Sequence, residues 1–198
     1  MENSFIHLHC HTAYSLLDGA LKIPALLKKC KEYNMDSVAI TDNGNLFGAI
    51  EFYTAAKKEG LNPIIGCELY LTPNLQEKER RLTRLILLCK NYQGYQNLVE
   101  LVSISHLKGF YYKPRIDLAH LKKYASNLIA ISPGLHGPVA RLIRNGEFDQ
   151  AASSAQELAE IYGPDFYLGI QSLGLHYEDI IKEETLKISK EYKIPVVA

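Results

Sequence analysis

Cysteine is scarce in this chain and badly placed for cross-linking. The four residues, Cys10, Cys30, Cys67 and Cys89, stand far apart and form no C-x-x-C pair. That spacing argues against a disulfide framework and a zinc ribbon, and reads as reduced, mostly buried thiols. An excess of one charge is also missing, because 22 Lys and Arg balance 22 Asp and Glu. A neutral chain lacks the broad basic footprint that bulk DNA binding needs. The local group Arg80, Arg81 and Arg84 could still touch a phosphate backbone, although a solvated charged loop is the favoured reading. No apolar run approaches the ~20 residues of a bilayer span, and the first residues carry no signal-peptide pattern, so the expectation is a cytoplasmic chain without a membrane partner. At 198 residues the chain suits one domain with a real core rather than two.

What is present is concentrated near the start, in the stretch Phe5 to Gly19, FIHLHCHTAYSLLDG. Three histidines, His7, His9 and His11, fall within five residues. If Phe5 to His11 is a strand, its period of two sends all three imidazoles to one side and Ile6, Leu8 and Cys10 to the other. Two neutral imidazoles at i and i+2 can reach one zinc, manganese or iron ion without bending the backbone. Asp18, seven residues later in a turn-rich segment, can add an oxygen ligand. The bland alternative is a histidine that satisfies a nearby carbonyl, and His7 is read that way.

Along the rest of the chain, apolar runs alternate with helical stripes. Strands are expected at Ser37–Thr41, Pro63–Leu71, Leu85–Cys89, Asn127–Ser132, Phe166–Ile170 and Ile194–Ala198, giving seven with the opening segment. Helices are expected at Ile23–Tyr33, Leu46–Lys58, Tyr95–Leu107, Leu118–Tyr124, Pro138–Arg144, Phe148–Tyr162 and Tyr177–Tyr192. Thr72–Thr83 reads as a mobile polar loop and Gly109–Asp117 as irregular. Glu68 stands in an otherwise apolar strand. Such alternation implies βαβ units and a mostly parallel sheet, either a barrel one strand short of eight or an open doubly wound sheet. Both gather ligands beyond the carboxyl ends of the strands, where His9, His11, Asp18 and Asp42 would emerge. The last strand stops at Ala198 with no loop after it, which reads as a domain, residues 1–198, cut from a longer chain.

Several runs resemble the polymerase and histidinol phosphatase (PHP) family. They are His9-Cys10-His11-Thr12 with Ser15-Leu16-Leu17-Asp18-Gly19, Ala39-Ile40-Thr41-Asp42, and Gly44-Asn45-Leu46-Phe47-Gly48-Ala49. Gly66-Cys67-Glu68, Gly94-Tyr95-Gln96-Asn97-Leu98, Gly109-Phe110-Tyr111 and Pro114-Arg115-Ile116-Asp117 are similar to the branch that opens the alpha subunit of bacterial DNA polymerase III. The resemblance implies a distorted seven-stranded (β/α)7 barrel, TIM-barrel-like, whose intact members hold up to three metal ions and hydrolyse phosphoesters. The matching ligand positions present are His9, His11, Asp18 and Glu68. Three others are changed: Asn43 and Arg84 stand where histidines are expected, and Gly134 where the ligand is often a cysteine. His136, two residues on, is a weak substitute. The final Asp-x-His motif would lie beyond Ala198.

The resemblance thus implies a decayed phosphoesterase site, with zinc or manganese at most at a partial centre. The domain would act as a platform in a replicative DNA-directed DNA polymerase, with no chemistry of its own. Its partners would be the other domains of the polymerase chain, the proofreading exonuclease subunit, replisome proteins and, through the full-length chain, DNA. Magnesium would serve the polymerase site outside this segment. The alternatives are a free-standing metal-dependent phosphoesterase, of histidinol-phosphatase or 3′-5′ exonuclease type, and a scaffold with no chemistry at all.

Overall fold

A computed structural model describes residues 5–198. The first helix, α1 (Ile23–Glu32), carries Pro24 in its first turn and buries Ile23, Leu26, Leu27 and Cys30, an i, i+3, i+4, i+7 stripe. Next come β1 (Ser37–Ile40), α2 (Ala49–Lys58) and the long β2 (Asn62–Leu71). They are followed by β3 (Thr83–Cys89), α3 (Tyr92–Leu107), the two-residue β4 (Arg115–Ile116) and α4 (Leu118–Tyr124). The second half holds β5 (Leu128–Ser132), α5 (Pro138–Arg144), α6 (Phe148–Tyr162), β6 (Phe166–Gly169), α7 (Glu178–Tyr192) and β7 (Val196–Val197). The helices α3 and α4 start where side chains accept the free amides of the first turn, Gly94 N bonding Asn91 Oδ1 and His120 N bonding Asp117 Oδ1, both at 3.1 Å.

The sheet runs β1-β2-β3-β5-β6-β7, with β4 pairing β2. Four of the six pairings are parallel, but β3 is antiparallel to both β2 and β5. The strands curl around a small inner core made of Ala39, Ile64, Ile86, Leu88, Ile129, Ile131, Tyr167 and Val197, with Leu8 packed into it. Their alternate neighbours, such as Leu69, Leu85, Leu87, Leu128, Ala130, Phe166 and Leu168, face a larger outer core beneath the later helices. A third cluster holds α1 and α2 against β1. Each fully buried Leu, Ile or Phe in these layers contributes about 1.5–3 kcal/mol relative to exposure. Inner core, curled sheet and outer helices are the layers of a distorted α/β barrel.

Two strand expectations are corrected. Phe5–His11 runs beside β1 without becoming a regular strand. Ala39 N donates to His7 O and Thr41 N to Cys10 O, so one chain advances two residues while the other advances three. The extra residue is a bulge that interrupts the ladder and breaks the alternation of faces. Leu8 points into the inner core, whereas Cys10 packs toward α1 and α2. The leading segment meets β7 across a cavity of about 160 Å³ rather than through a ladder. Conversely, β4 lies inside the stretch expected to be irregular. The total of seven strands therefore stands, with β4 in place of the opening segment.

The loop before β3 is also less free than its composition suggests. Arg115, 3% exposed, donates from Nε to Gly109 O, from Nη2 to Leu75 O, and from Nη1 to Glu77 O and Glu79 O. A buried guanidinium satisfied by carbonyls pins the loop to β4. Among the described residues no helix is long and apolar enough to cross a membrane. The thiols fit the expectation of inert cysteines: all four are free, and burial pushes Cys10 up to about 11 and Cys89 up to about 12.

Candidate metal centre at the barrel mouth

The even-numbered residues of β2 face inward, and Glu68 is the one that carries charge. Its side chain is fully buried. Residues 42–44 run beside it, with Glu68 N donating to Asp42 O and Gly44 N donating to Glu68 O. This places Asn43 opposite Glu68. The turn requires glycine at Gly44, whose φ is +63° and whose added Cβ would lie 2.7 Å from Pro114 Cγ.

From the opposite side, the leading segment delivers two imidazoles. His9 Nε2 lies 3.5 Å from Glu68 Oε1, and His11 Nε2 lies 2.9 Å from Glu68 Oε2. The rings meet edge to face at 5.0 Å, and Gln171 Nε2 lies 3.4 Å from His9 Nδ1. The imidazoles are close to the carboxylate but poorly aligned with it: both Nε2 atoms and Glu68 Oε1 are buried without a hydrogen bond. Buried polar atoms left unpaired are rare, and three of them converging on one space is the arrangement of ligands around a cation. The three ligand atoms lie within 4.8 Å of one another. This donor set therefore fits one metal ion.

A positive charge already stands beside it. β2 and β3 pair so that Tyr70 opposes Arg84 and Glu68 opposes Ile86, making Arg84 and Glu68 diagonal neighbours on the inward face. Arg84 Nη1 reaches Glu68 Oε2 at 3.1 Å and Asn43 Oδ1 at 3.4 Å, and lies 3.8 Å from Asp18 Oδ2. Burial alone would raise the Glu68 pKa. The approach of His11, His9 and Arg84 outweighs it and holds the carboxyl well below the usual range.

The other expected residues are placed differently. Asp18 is half-exposed and outside the donor group; its Oδ2 accepts from Asn43 Nδ2 at 2.6 Å. Asp42 is a loop anchor, accepting Thr12 N and Ser15 Oγ at Oδ1 and Thr12 Oγ1 at Oδ2. His7 packs edge-on against Phe5, and His136 lines a separate cavity, its pKa lowered by burial, Arg84 and Arg144. Gly134 has no room to spare, since a Cβ there would lie 3.0 Å from Gln171 N and Gly169 O. Gln171 was not foreseen from the sequence, where nothing set it apart from other loop amides.

Comparison with known proteins agrees with this architecture. A family model described as the PHP domain matches residues 7–173. The DNA polymerase III subunit alpha of Borreliella burgdorferi is 47% identical over 200 residues, covering 98% of this chain and 17% of that protein. The Helicobacter pylori (strain 26695) subunit is 45% identical over 208 residues, again 98% and 17%, and that of Aquifex aeolicus 38% over 209 residues, 100% and 18%. The chain thus spans about a sixth of the length of these relatives. Among solved structures, a Bifidobacterium adolescentis protein described as a metal-dependent phosphoesterase superposes with a TM-score of 0.62 at 12% identity, covering 96% of this chain and 85% of that one. A Chromobacterium violaceum amidohydrolase gives 0.55 at 14%, covering 96% and 84%. These two likenesses concern the fold alone.

Proposed function

Because the chain belongs to the PHP domain family, we propose that it works as the N-terminal PHP domain of a DNA polymerase III alpha subunit, a platform whose hydrolytic centre has decayed to a partial site. The share of its relatives that it spans supports a domain of a longer polymerase chain, which on this reading works in the cytoplasm. Partners on this reading are the other domains of that chain, the proofreading exonuclease subunit and replisome proteins, with DNA engaged by the full-length chain. The magnesium-dependent polymerase site would lie outside this segment.

One observation carries the loss of hydrolysis. Arg84 sets a permanent guanidinium 3.1 Å from Glu68, where the resemblance calls for a neutral imidazole. A multi-ion cluster needs its full set of ligands and no competing cation. Here Asn43 ties up Asp18, Arg84 neutralises Glu68, and Gly134 offers no side chain. His9, His11 and Glu68 would together hold a single zinc or manganese ion. Such an ion supplies Lewis acidity when bound, and the three residues supply two neutral nitrogens and one carboxylate oxygen. Gln171 orients the His9 ring, and the Asp42 anchor keeps Thr12 and Ser15 in place behind it.

The test is metal content of the purified protein by elemental analysis, alongside hydrolysis of a generic phosphoester with added manganese or zinc. At most one ion per chain and no turnover are expected. Asn43→His combined with Arg84→His should raise metal uptake. Two or more ions per wild-type chain together with turnover would refute the reading in favour of a phosphoesterase.

A further inference from the structure

Beside Arg84, with neither His9 nor His11 in its wall, lies a cavity of about 240 Å³. Five of the chain's 22 basic residues line it: Arg80, Arg84, Lys113, Arg141 and Arg144. Among the described residues the rest of its wall includes His136 and Tyr70, and no Asp or Glu. In a chain of zero net charge this concentration is local and needs a cause.

Folding contacts do not provide one. Among the described residues, the side chains of Arg80, Lys113, Arg141 and Arg144 form no ion pair; Glu79 Oε1 accepts the backbone amides of Arg80 and Arg81, and only Arg84 is paired, with Glu68 and Asp18. The others rest on rings or carbonyls instead. Arg80 lies 3.9 Å from the Tyr112 centroid, Lys113 5.5 Å from Tyr70 and Arg144 5.8 Å from Tyr177, while Arg141 Nη1 donates to Arg81 O at 2.8 Å. Those contacts orient the cations without neutralising them. The wall is also held in place, since Arg115 clamps Leu75, Glu77 and Glu79 just before Arg80. Converging cations on a fixed frame, four of them with no ion-pair partner for the side chain, form a site for an anion.

We propose that this cavity binds a terminal phosphate group, as a dianion held by Arg80, Lys113, Arg141 and Arg144. The volume selects the ligand, being smaller than the roughly 300–1,000 Å³ of drug-sized pockets and suited to a headgroup. Guanidinium forks and an ammonium match phosphate oxygens with charge-assisted bonds. A strand's internal phosphodiesters would need an extended groove. The source of the group is either free phosphate or the phosphorylated end of a nucleic acid strand. This site is independent of any metal held by His9, His11 and Glu68, so it stands or falls apart from the platform reading.

The test uses isothermal titration of the protein with inorganic phosphate at constant ionic strength, against added chloride as control. Saturable phosphate binding is expected. Lys113 and Arg144 are both exposed, so the double variant Lys113→Gln with Arg144→Gln should keep its circular dichroism spectrum. Its affinity should fall about tenfold or more, because two of the four cations that would hold the dianion are removed. Arg80→Gln serves as an independent second variant with the same expected direction. Single-stranded oligonucleotides with and without a 5′ phosphate separate the sources: preference for the phosphorylated one supports a strand end, and phosphate binding with no oligonucleotide binding supports free phosphate. Phosphate heat no greater than that of chloride would overturn the proposal. So would unchanged affinity in the variants, or equal binding of both oligonucleotides without phosphate binding.

Discussion

Replacing Arg84 by methionine removes the charge of the guanidinium while keeping much of its bulk, and isolates the question of what holds a fully buried carboxylate. Arg84 Nη1 and Glu68 Oε2 are 3.1 Å apart. Coulomb's law gives ~5 kcal/mol at that distance with an effective dielectric constant of ~20. Desolvation of both groups offsets much of this, but truncating one partner leaves the other charge buried, and such deletions cost about 3–5 kcal/mol. Nearby His9 and His11 can share the load, so about 3 kcal/mol is expected near neutral pH. The pH dependence has a definite sign. In the native protein the Glu68 pKa lies below its ordinary 4.5, so its stabilising contribution is complete above that value and fades as pH falls through the lower folded one. Without Arg84 one of the lowering influences is gone while burial still raises the pKa, so the folded value moves up. The penalty of Arg84→Met must then shrink on acidification. Urea unfolding with chelator present, at pH 7.5 and pH 4.5, measures both numbers. A variant as stable as the native chain at pH 7.5, or one whose penalty grows toward pH 4.5, would refute the assignment of Arg84 as counter-ion to Glu68.

Arg115→Met should release the loop between β2 and β3, because four carbonyl contacts depend on one guanidinium. A loss of about 2–4 kcal/mol is expected from hydrogen bonds to a charged group, with faster amide exchange in residues 75–82 that unchanged exchange would contradict. Gly44→Ala meets both a φ of +63° and Pro114 Cγ at 2.7 Å. The conformational part alone is about 1–2 kcal/mol, so thermal unfolding should shift down by several degrees. An unshifted midpoint would mean that the turn after β1 is not held as described.

The parts of this fold that could be read from sequence are those in which one short-range rule acts alone. The stripe of α1 and the inward and outward alternation of β2 follow from helix and strand periods without knowledge of neighbours, whereas the Asn91 cap starts α3 three residues before the expected Tyr95. Reading fails where two segments must be aligned. Nothing in Phe5–His11 signals that its partner advances by two while it advances by three, yet that bulge separates the directions of Leu8 and Cys10. Nothing in LTRLILLC signals that β3 runs antiparallel, and β4 is too short to leave a periodic trace. The candidate site shows the same division. His9, His11 and Glu68 are conspicuous as residue types, a histidine pair and a carboxylate among apolar neighbours. Arg84 at first reads as part of a solvated basic group, and its approach to Glu68 depends on a register that pairs Tyr70 with Arg84 across an antiparallel ladder. A shift of one residue would turn the guanidinium outward. The same register brings Arg84 onto Glu68 and puts it in the wall of the basic cavity, so a single strand pairing both sets a cation against the carboxylate of the metal centre and adds a fifth basic residue to that wall.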